Sequence, residues 1–558
     1  MVEMIIYKLR SYSILPLLLT VGFITLPPIF YVLYGSFVAG SPLKPAGLTF
    51  EGYIAFTGSY VQNAIINSFT IAVVKTCIAI PIAFLLAWLT TRTDLPAKGV
   101  VETLIPAALL MPGFVTALVW ILLLSPSIGL INARVLPLIG LKDITLNIYS
   151  LWGIVWVQST LTVPYAYLIL ASALRNVDPS TEEAARISGG GTFHVLRTIT
   201  FPLVRPAFLS VLILSVVLGI EAFDIPLLIG GPARIPVMTT EIYRRATFLP
   251  PDYTSAAALS WLALLSALIL VTLQRRYISQ EYRFATITAR GFKPPLIKLG
   301  KWKYLASLFV WSLLTIYIFL PVAMLLIVSL FRGYPFSTFA DFTLDRFSTV
   351  WGYPMVQRAL INTFTTAISV GFIATIVALF VVYCITRTNL KMKSILDNLS
   401  MLPLAVPSIV LSLGFLWAYI ASPLWGTVWV LILAFLAKGL PWGVRATIGG
   451  MVQIDKALEE SSRVCGAGWL HTFIKIVCRL LSGTIIASIL LIIIFTVREL
   501  ALPSLLKAYG SEFISVLLLE MWTNGYLAET TTLSFILIVF IILLTIILKK
   551  VFKTTILG

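Results

Sequence analysis

Charged residues are scarce in this chain. Of its 558 residues only 11% are Asp, Glu, Lys or Arg, whereas 59% are hydrophobic and the mean hydropathy is +0.99. Soluble globular domains carry about 25% charged residues. The composition therefore excludes a water-soluble enzyme or binding module and indicates a polytopic membrane protein.

Several chemical signatures are also missing. The chain contains no G-x-x-x-x-G-K-[ST] sequence, so the phosphate-binding loop of an ATPase is absent. Its four cysteines form no C-x-x-C pair, and its two histidines, His194 and His471, lie in polar loops. This pattern suggests neither a disulfide framework nor a zinc site. We predict no catalytic residue, no metal site and no cofactor within the chain.

Long apolar runs dominate what is present. A membrane-spanning helix needs about 20 mostly apolar residues, and about twelve runs meet that requirement. Their centres lie near Thr20, Ile80, Leu110, Val163, Leu214, Leu264, Tyr317, Ile373, Leu411, Ile432, Ile492 and Ile538. The predicted fold is all-α, a multi-pass protein of the plasma or inner membrane. The N-terminal MVEMIIYKLR lacks a small-residue cleavage site and predicts an uncleaved first span.

Basic residues predict the orientation. Alternate loops carry about 27 of the 40 Lys and Arg residues, which assigns those loops and both termini to the cytosol. This rule explains the net charge of +17 better than nucleic-acid binding does. Six spans per half make the two halves parallel repeats. We place the domain boundary near Gly291, which gives halves 1–290 and 291–558, joined by a basic surface linker at 274–303.

One polar loop occurs twice on the predicted cytosolic side. Residues 182–202 read EEAARISGGGTFHVLRTITFP, and residues 459–479 read EESSRVCGAGWLHTFIKIVCR. The copies align without a gap, 277 positions apart (460 − 183). A second echo, 295 positions apart, pairs TTRTDL at 90–95 with ITRTNL at 385–390. The chain is therefore an internal duplication, and this loop is its clearest repeated feature.

The first copy resembles the EAA loop of permeases from binding-protein-dependent ABC importers. Glu183, Ala184 and Ala185 are followed after three residues by Gly189, and the loop ends in Ile199, Phe201 and Pro202. In that family the loop forms two short helices broken at the glycine, and the first helix docks on an ATPase subunit. The second copy has Glu460 and Gly466 but replaces the alanines with Ser461 and Ser462. The resemblance implies weaker or differently shaped docking there.

Two further segments, AFDIPLLIGG at 222–231 and ELALPSLL at 499–506, resemble fused two-half permeases of the iron(III), thiamine and phosphonate importer group. The resemblance implies two ATPase subunits as partners, which carry ATP and Mg²⁺, and an extracytosolic substrate-binding protein. Iron(III) is the expected cargo by analogy. Thiamine, phosphonate, polyamine or an oxyanion would suit similar residues.

Ionisable residues inside spans are candidates for function because they are costly in hydrocarbon. Four stand out: Glu221, Asp224, Arg498 and Glu499. Glu221 and Arg498 occupy equivalent places in the repeat. They either meet near the pseudo-two-fold axis as a gate or path lining, or are structural ion pairs or plain interfacial charges near the outer ends of their spans. Lys75 and Lys438 are weaker candidates that would snorkel or pair.

Two other classes remain as alternatives. A gradient-driven secondary transporter of the major-facilitator class also has two parallel six-span halves, but the loop TTRTDLPAKGV lacks its Gly-Asp-Arg-Gly-Arg-type motif. A membrane-embedded enzyme would need clustered His, Asp or Glu within spans, and the sparse charges oppose that reading.

Overall fold

The computed structural model describes residues 14–281, 296–331, 342–388 and 392–552. Within these ranges, nine single helices are long and apolar enough to cross a membrane, and three further candidates are pairs of helices bent at a short break. Each of the twelve predicted centres falls inside one of these segments. The prediction of a helical membrane protein with about twelve spans is thus confirmed. The boundary predicted near Gly291 lies outside the described residues.

The first half contains nine labelled helices and two strands. They are α1 (Leu15–Gly35), β1 (Val38–Ser41), β2 (Lys44–Leu48), α2 (Ser59–Arg92), α3 (Lys98–Leu110), α4 (Gly113–Leu124), α5 (Leu151–Arg175), α6 (Pro179–Ile187), α7 (Thr192–Glu221), α8 (Met238–Thr247) and α9 (Tyr253–Glu281). The antiparallel hairpin of β1 and β2 is a small exception to the all-α prediction.

The second half repeats the order of the helices. They are α10 (Trp302–Leu330), α11 (Asp345–Gly352), α12 (Pro354–Arg387), α13 (Lys393–Ala405), α14 (Ser408–Tyr419), α15 (Val428–Gln453), α16 (Lys456–Val464), α17 (Trp469–Leu480), α18 (Ser482–Arg498), α19 (Ile514–Thr523) and α20 (Leu527–Phe552).

The third span of each half is broken at a proline. Helices α3 and α4 meet at an angle of 98° beside Pro112, and α13 and α14 meet at 108° beside Pro407. Proline has no backbone N–H and cannot continue the hydrogen-bond ladder of a helix. Each break therefore leaves the N-terminus of a second, buried helix inside the bundle, at Gly113 in α4 and Ser408 in α14.

The first spans of the two halves are exchanged. Ile14, Leu18 and Val21, at the start of α1, pack in a core cluster whose other members come from the second half. Conversely, Val310 and Leu314 of α10 pack into a core cluster of the first half. At the crossing of α1 and α14, a Cβ on Gly414 would lie 2.1 Å from the Pro28 carbonyl oxygen, so this close approach requires glycine. The repeats are separate in sequence but interlocked in space.

Candidate functional site

The repeated loops at residues 182–202 and 459–479 are called the first and second coupling loops, after the role predicted for them. The first coupling loop is a short helix followed by a sharp reversal. Asp178 caps the N-terminus of α6, and its Oδ1 accepts a hydrogen bond from the Ser180 N–H at 2.9 Å. This hydrogen bond favours the ionised carboxylate and lowers the pKa of Asp178 below its ordinary value. After α6 the chain turns at Gly189, where φ is +90°, and enters α7 at Thr192. Glycine suits this turn because a Cβ disfavours positive φ. Two helices broken at the glycine are what the family resemblance implied.

The second coupling loop has the same backbone. Asp455 Oδ1 accepts a hydrogen bond from the Ala457 N–H at 3.0 Å at the start of α16. The reversal follows at Gly466, where φ is +85°, and α17 begins at Trp469. The loss of the two alanines therefore changes the surface of this loop and not its course.

The predicted docking residues are mostly at the surface of these loops. Exposed positions are Glu183, Ala184, Gly189, Glu460, Ser461 and Gly466. Ala185 and Ser462 are half-buried. The Ser462 hydroxyl lies 2.9 Å from the Thr472 hydroxyl, which ties α16 to α17. Both loops thus present an accessible helix, and docking of an ATPase on it stays a prediction.

Sequence reasoning missed the buried residue beside each exposed glutamate. Glu182 is a buried residue of α6, and its Oε1 accepts a hydrogen bond from Arg92 Nε at 3.2 Å and another from the Thr200 hydroxyl at 2.8 Å. Arg92, the last residue of α2, also donates through Nη2 to the carbonyl oxygens of Leu174 at 2.8 Å and Val177 at 3.2 Å. One guanidinium therefore joins α2, the end of α5 and α6. We call Arg92 and Glu182 the first clamp.

The second half repeats this arrangement. Arg387 Nε, at the end of α12, lies 3.0 Å from Glu459 Oε1 in a buried ion pair. Arg387 Nη2 donates to the carbonyl oxygens of Met451 at 3.0 Å and Ile454 at 2.6 Å. These two carbonyls are 277 positions after those that Arg92 contacts. We call Arg387 and Glu459 the second clamp. The sequence did contain a clue to the clamps, because the repeated segments TTRTDL and ITRTNL contain both arginines.

The clamps differ in what else holds the glutamate. In the first clamp a hydroxyl of the same loop, Thr200, donates to Glu182. In the second, Tyr383 of α12 donates to Glu459 Oε2 at 2.9 Å and accepts from Arg463 Nη2 at 3.2 Å. The ring of Tyr383 also packs edge-on against Phe473, with centroids 5.2 Å apart. Tyr383 thus supports the second coupling loop, in which serines replace the two alanines, through both its hydroxyl and its ring.

The intramembrane candidates are brought together across the two halves. Glu221, at the end of α7, forms an ion pair with Lys438 of α15 and accepts from the Ser408 hydroxyl at 3.2 Å. Lys438 also donates to the carbonyl oxygen of Val406, at the break before α14, at 2.8 Å. The repeat register matched Glu221 with Arg498, but the structure pairs it with Lys438. The alternative that Lys438 pairs, and does not snorkel, is therefore the one the structure bears out.

Asp224 occupies the corresponding position at the other break. A Cβ on Gly113, the first residue of α4, would lie 2.4 Å from Asp224 Oδ2, so the carboxylate sits directly against this helix N-terminus. Helix N-termini stabilise negative charge. Arg498 lies within electrostatic range of Asp224, and Glu499 lies within range of Asp224, Lys438 and Glu221. The four predicted residues and Lys438 thus form one cluster, which we call the charge cluster.

Lys438 is the member of the charge cluster that lies farthest from a helix end, whereas Glu221 and Arg498 are the last residues of α7 and α18. Lys438 is buried within α15, about 15 Å from its nearer end at Val428 for a rise of about 1.5 Å per residue. Both interpretations of the cluster, a path lining and structural ion pairs, stay predictions. The other lysine, Lys75, is buried in α2 and donates to the Thr162 hydroxyl at 3.0 Å. Among the described residues, no group of three or more His, Cys, Asp or Glu side chains could hold a metal ion.

The chain is similar to known membrane transport proteins. Residues 79–283 and 374–553 each match the family described as binding-protein-dependent transport system inner membrane component. The ferric transport system permease protein FbpB of Actinobacillus pleuropneumoniae is 25% identical over 86% of this chain and 69% of that protein. A putative ferric transport system permease protein of Haemophilus influenzae is 26% identical over 90% of this chain and 75% of that protein.

A shorter match involves a different named cargo. A putative 2-aminoethylphosphonate transport system permease protein of Salmonella typhi is 26% identical over 38% of this chain and 73% of that protein. The relatives agree on the class of protein and differ in the substrate that their names give.

Proposed function

The chain belongs to the family of binding-protein-dependent transport system inner membrane components, and we propose that it couples to two ATPase subunits through its two coupling loops. It is a fused, two-half permease of an ABC importer and not an enzyme. The observation that supports coupling is the duplicated helix and glycine reversal, with the same backbone course in both halves. Two equivalent exposed helices suit two copies of one partner.

Transport in this proposal follows an alternating-access cycle. ATP and Mg²⁺ are bound by the ATPase subunits, and a substrate-binding protein delivers cargo from outside. ATP binding closes the ATPases and displaces α6 and α16, which moves the helices behind them and opens the path outward. Hydrolysis resets the chain. ATP and the loaded binding protein act by their different affinities for the two states.

The charge cluster is proposed to line or close the path between the halves. Glu221 and Asp224 come from the first half, whereas Lys438, Arg498 and Glu499 come from the second. Separation of the halves would therefore break the Glu221–Lys438 ion pair. A buried charge that loses its partner is strongly unfavourable. The pair therefore favours the closed arrangement until ATP binding to the ATPases drives the halves apart.

Iron(III) is the proposed cargo. Two relatives that cover 86% and 90% of the chain are named ferric transport permeases. The phosphonate permease covers only 38% and keeps that cargo as the second candidate. Thiamine, a polyamine and an oxyanion stay as further alternatives.

The first test is affinity purification of the tagged chain from native membranes, with identification of the co-purifying proteins and of the ligand on any binding protein. We expect a stoichiometric ATPase and an iron-loaded binding protein. An organic ligand would replace the cargo but keep the class. Recovery of the chain alone, with uptake driven by an ion gradient, would favour a secondary transporter.

Two variants test the coupling loop itself. Gly189→Pro imposes φ near −65° on a residue that adopts +90°, and Glu183→Lys reverses an exposed charge on α6. We expect both to abolish uptake while the chain remains in the membrane, as measured by transport and by the amount of chain in purified membranes. Wild-type uptake in both variants would contradict the assignment of this loop.

A further inference from the structure

Each clamp joins three helices through one arginine side chain. Arg92 is the last residue of α2, its side chain is 2% exposed, and it reaches the end of α5 and the first turn of α6. The carbonyl oxygen of Leu174 belongs to the last turn of α5, where the helix dipole is negative and a cation is favoured, and that of Val177 belongs to the short connection from α5 to α6. The guanidinium is suited to this geometry because its planar fork donates several hydrogen bonds in fixed directions.

The clamps differ from an ordinary surface ion pair. Glu102 and Arg175 form such a pair on the same side of the first half, at 3.1 Å, with 31% and 47% of their side chains exposed. Exposed pairs contribute little, because water and salt screen them. In contrast, both members of each clamp are at most 7% exposed. A buried charge that loses its partner is strongly unfavourable, so the clamps hold their helices together throughout small displacements.

The helices that the first clamp fixes lead to the charge cluster. Helix α2 packs along α5 and α7, and Lys75 of α2 donates to Thr162 of α5 midway along both. Helix α7 continues from the coupling loop to Glu221. A displacement of α6 that is carried by Arg92 would therefore move α2 and α5 as one body, instead of bending α6 alone. In the second half, Arg387 links α16 to α12 and α15, and α15 carries Lys438.

We propose that Arg92 and Arg387, with Glu182 and Glu459, are positioning residues that make each coupling helix move rigidly with the two transmembrane helices behind it. The clamps transmit the displacement and do not themselves contact the ATPase. Docking is the task of the exposed faces that include Glu183 and Glu460. This inference rests on the proposed function, and it assigns separate tasks to adjacent glutamates in each loop.

The test uses the complete complex with its co-purified ATPase and binding protein, reconstituted in lipid nanodiscs. The variants are Arg92→Lys, Glu182→Gln, Arg387→Lys and Glu459→Gln, which preserve size while weakening the clamp. Glu102→Gln is the matched control, because it removes the charge of an exposed ion pair at the same end of the half. The readouts are the amount of ATPase retained, basal ATP hydrolysis, and the factor by which the binding protein, with the ligand it carries as isolated, stimulates hydrolysis.

We expect the clamp variants to retain the ATPase and basal hydrolysis but to lose stimulation by about tenfold, a typical size for coupling between sites. Glu102→Gln should behave as the wild type. A merely structural role would lower basal and stimulated hydrolysis together, through loss of complex, and leave their ratio unchanged. That result, or an unchanged ratio in fully assembled variants, would overturn the proposal.

Failure of the proposed function has a different signature. If the wild-type chain binds no ATPase, the coupling assignment falls for every variant at once and the clamp inference falls with it. If the Glu183→Lys variant loses the ATPase, while the Glu182→Gln variant retains the ATPase but loses its stimulation by the binding protein, both proposals are supported. If Glu182→Gln loses the ATPase as Glu183→Lys does, docking stands and the clamp inference is wrong.

Discussion

The coupling loops and the core of this helix bundle differ in how closely they follow the internal repeat. At the coupling loops, Arg92 and Arg387 contact equivalent glutamates and equivalent carbonyl oxygens in the two halves. Inside the membrane the charges are not repeated. Lys438 corresponds to Leu161, and Glu221 corresponds to Arg498 in the 277 register. The chain is therefore two-fold symmetric in its loops and asymmetric in its core.

The difference is consistent with what each region would have to contact. Two loops that dock on two copies of one partner need the same geometry twice. A single path between the halves needs complementary surfaces, and a symmetric core would place like charges opposite each other. The asymmetry brings Glu221 against Lys438 and Asp224 near Arg498, so that most of the charge is compensated within the bundle.

The largest effect is expected in the asymmetric core. Lys438→Met should destabilise the chain by roughly 3–5 kcal/mol, because it leaves Glu221 buried without its cation. The double variant Glu221→Gln/Lys438→Met should recover most of that loss. Thermal unfolding in detergent measures both. Equal losses in the single and the double variant would mean that the two side chains do not depend on each other.

The clamps should respond with a smaller and nearly symmetric loss. Arg92→Met leaves Glu182 and two carbonyl oxygens short of a donor, at a cost of about 3 kcal/mol. Arg387→Met should cost about the same, because the Tyr383 hydroxyl still donates to Glu459 just as the Thr200 hydroxyl still donates to Glu182. The same unfolding assay compares the halves. A large effect confined to one half would break the symmetry of the clamps.

The glycine reversals should respond equally. Gly189→Ala and Gly466→Ala place a Cβ at positive φ, which costs roughly 1–2 kcal/mol, although no neighbouring atom lies within 4 Å of either Cβ. Gly191→Ala is the control, because that residue has an ordinary φ of −65° and open space around its Cβ. Hydrogen exchange of the two loops measures the change. A loss in the control as large as in the other two would indicate that side-chain volume, and not φ, matters.

The smallest effect should distinguish the two clamps. Tyr383→Phe removes the donor to Glu459 Oε2 and should destabilise the second clamp by about 1 kcal/mol. Position 88, its equivalent in the 295 register, is Trp88, so Trp88→Phe is the matched change in the first half. We expect no loss of a hydrogen bond to Glu182 from that variant, as followed by exchange of the α6 amides. A similar loss in both halves would argue against a special role for Tyr383.

The sequence determined the span number, the duplicated loops and the intramembrane charges. Each depends on local information: apolar runs report the length of a span, and a motif such as Glu183 to Gly189 reports its own turn. The cost of charge in hydrocarbon also identifies Glu221, Asp224, Arg498 and Glu499 without any knowledge of their neighbours.

Only the tertiary structure decided which groups meet. It paired Glu221 with Lys438, buried Glu182 against Arg92 beside the exposed Glu183, and exchanged the first spans of the halves. Residues 90 or 217 positions apart come into contact through helix packing. The sequence of a hydrophobic segment does not show which other hydrophobic segment it packs against. That choice depends on close approaches such as Gly414 against Pro28, which exist only once the bundle has assembled.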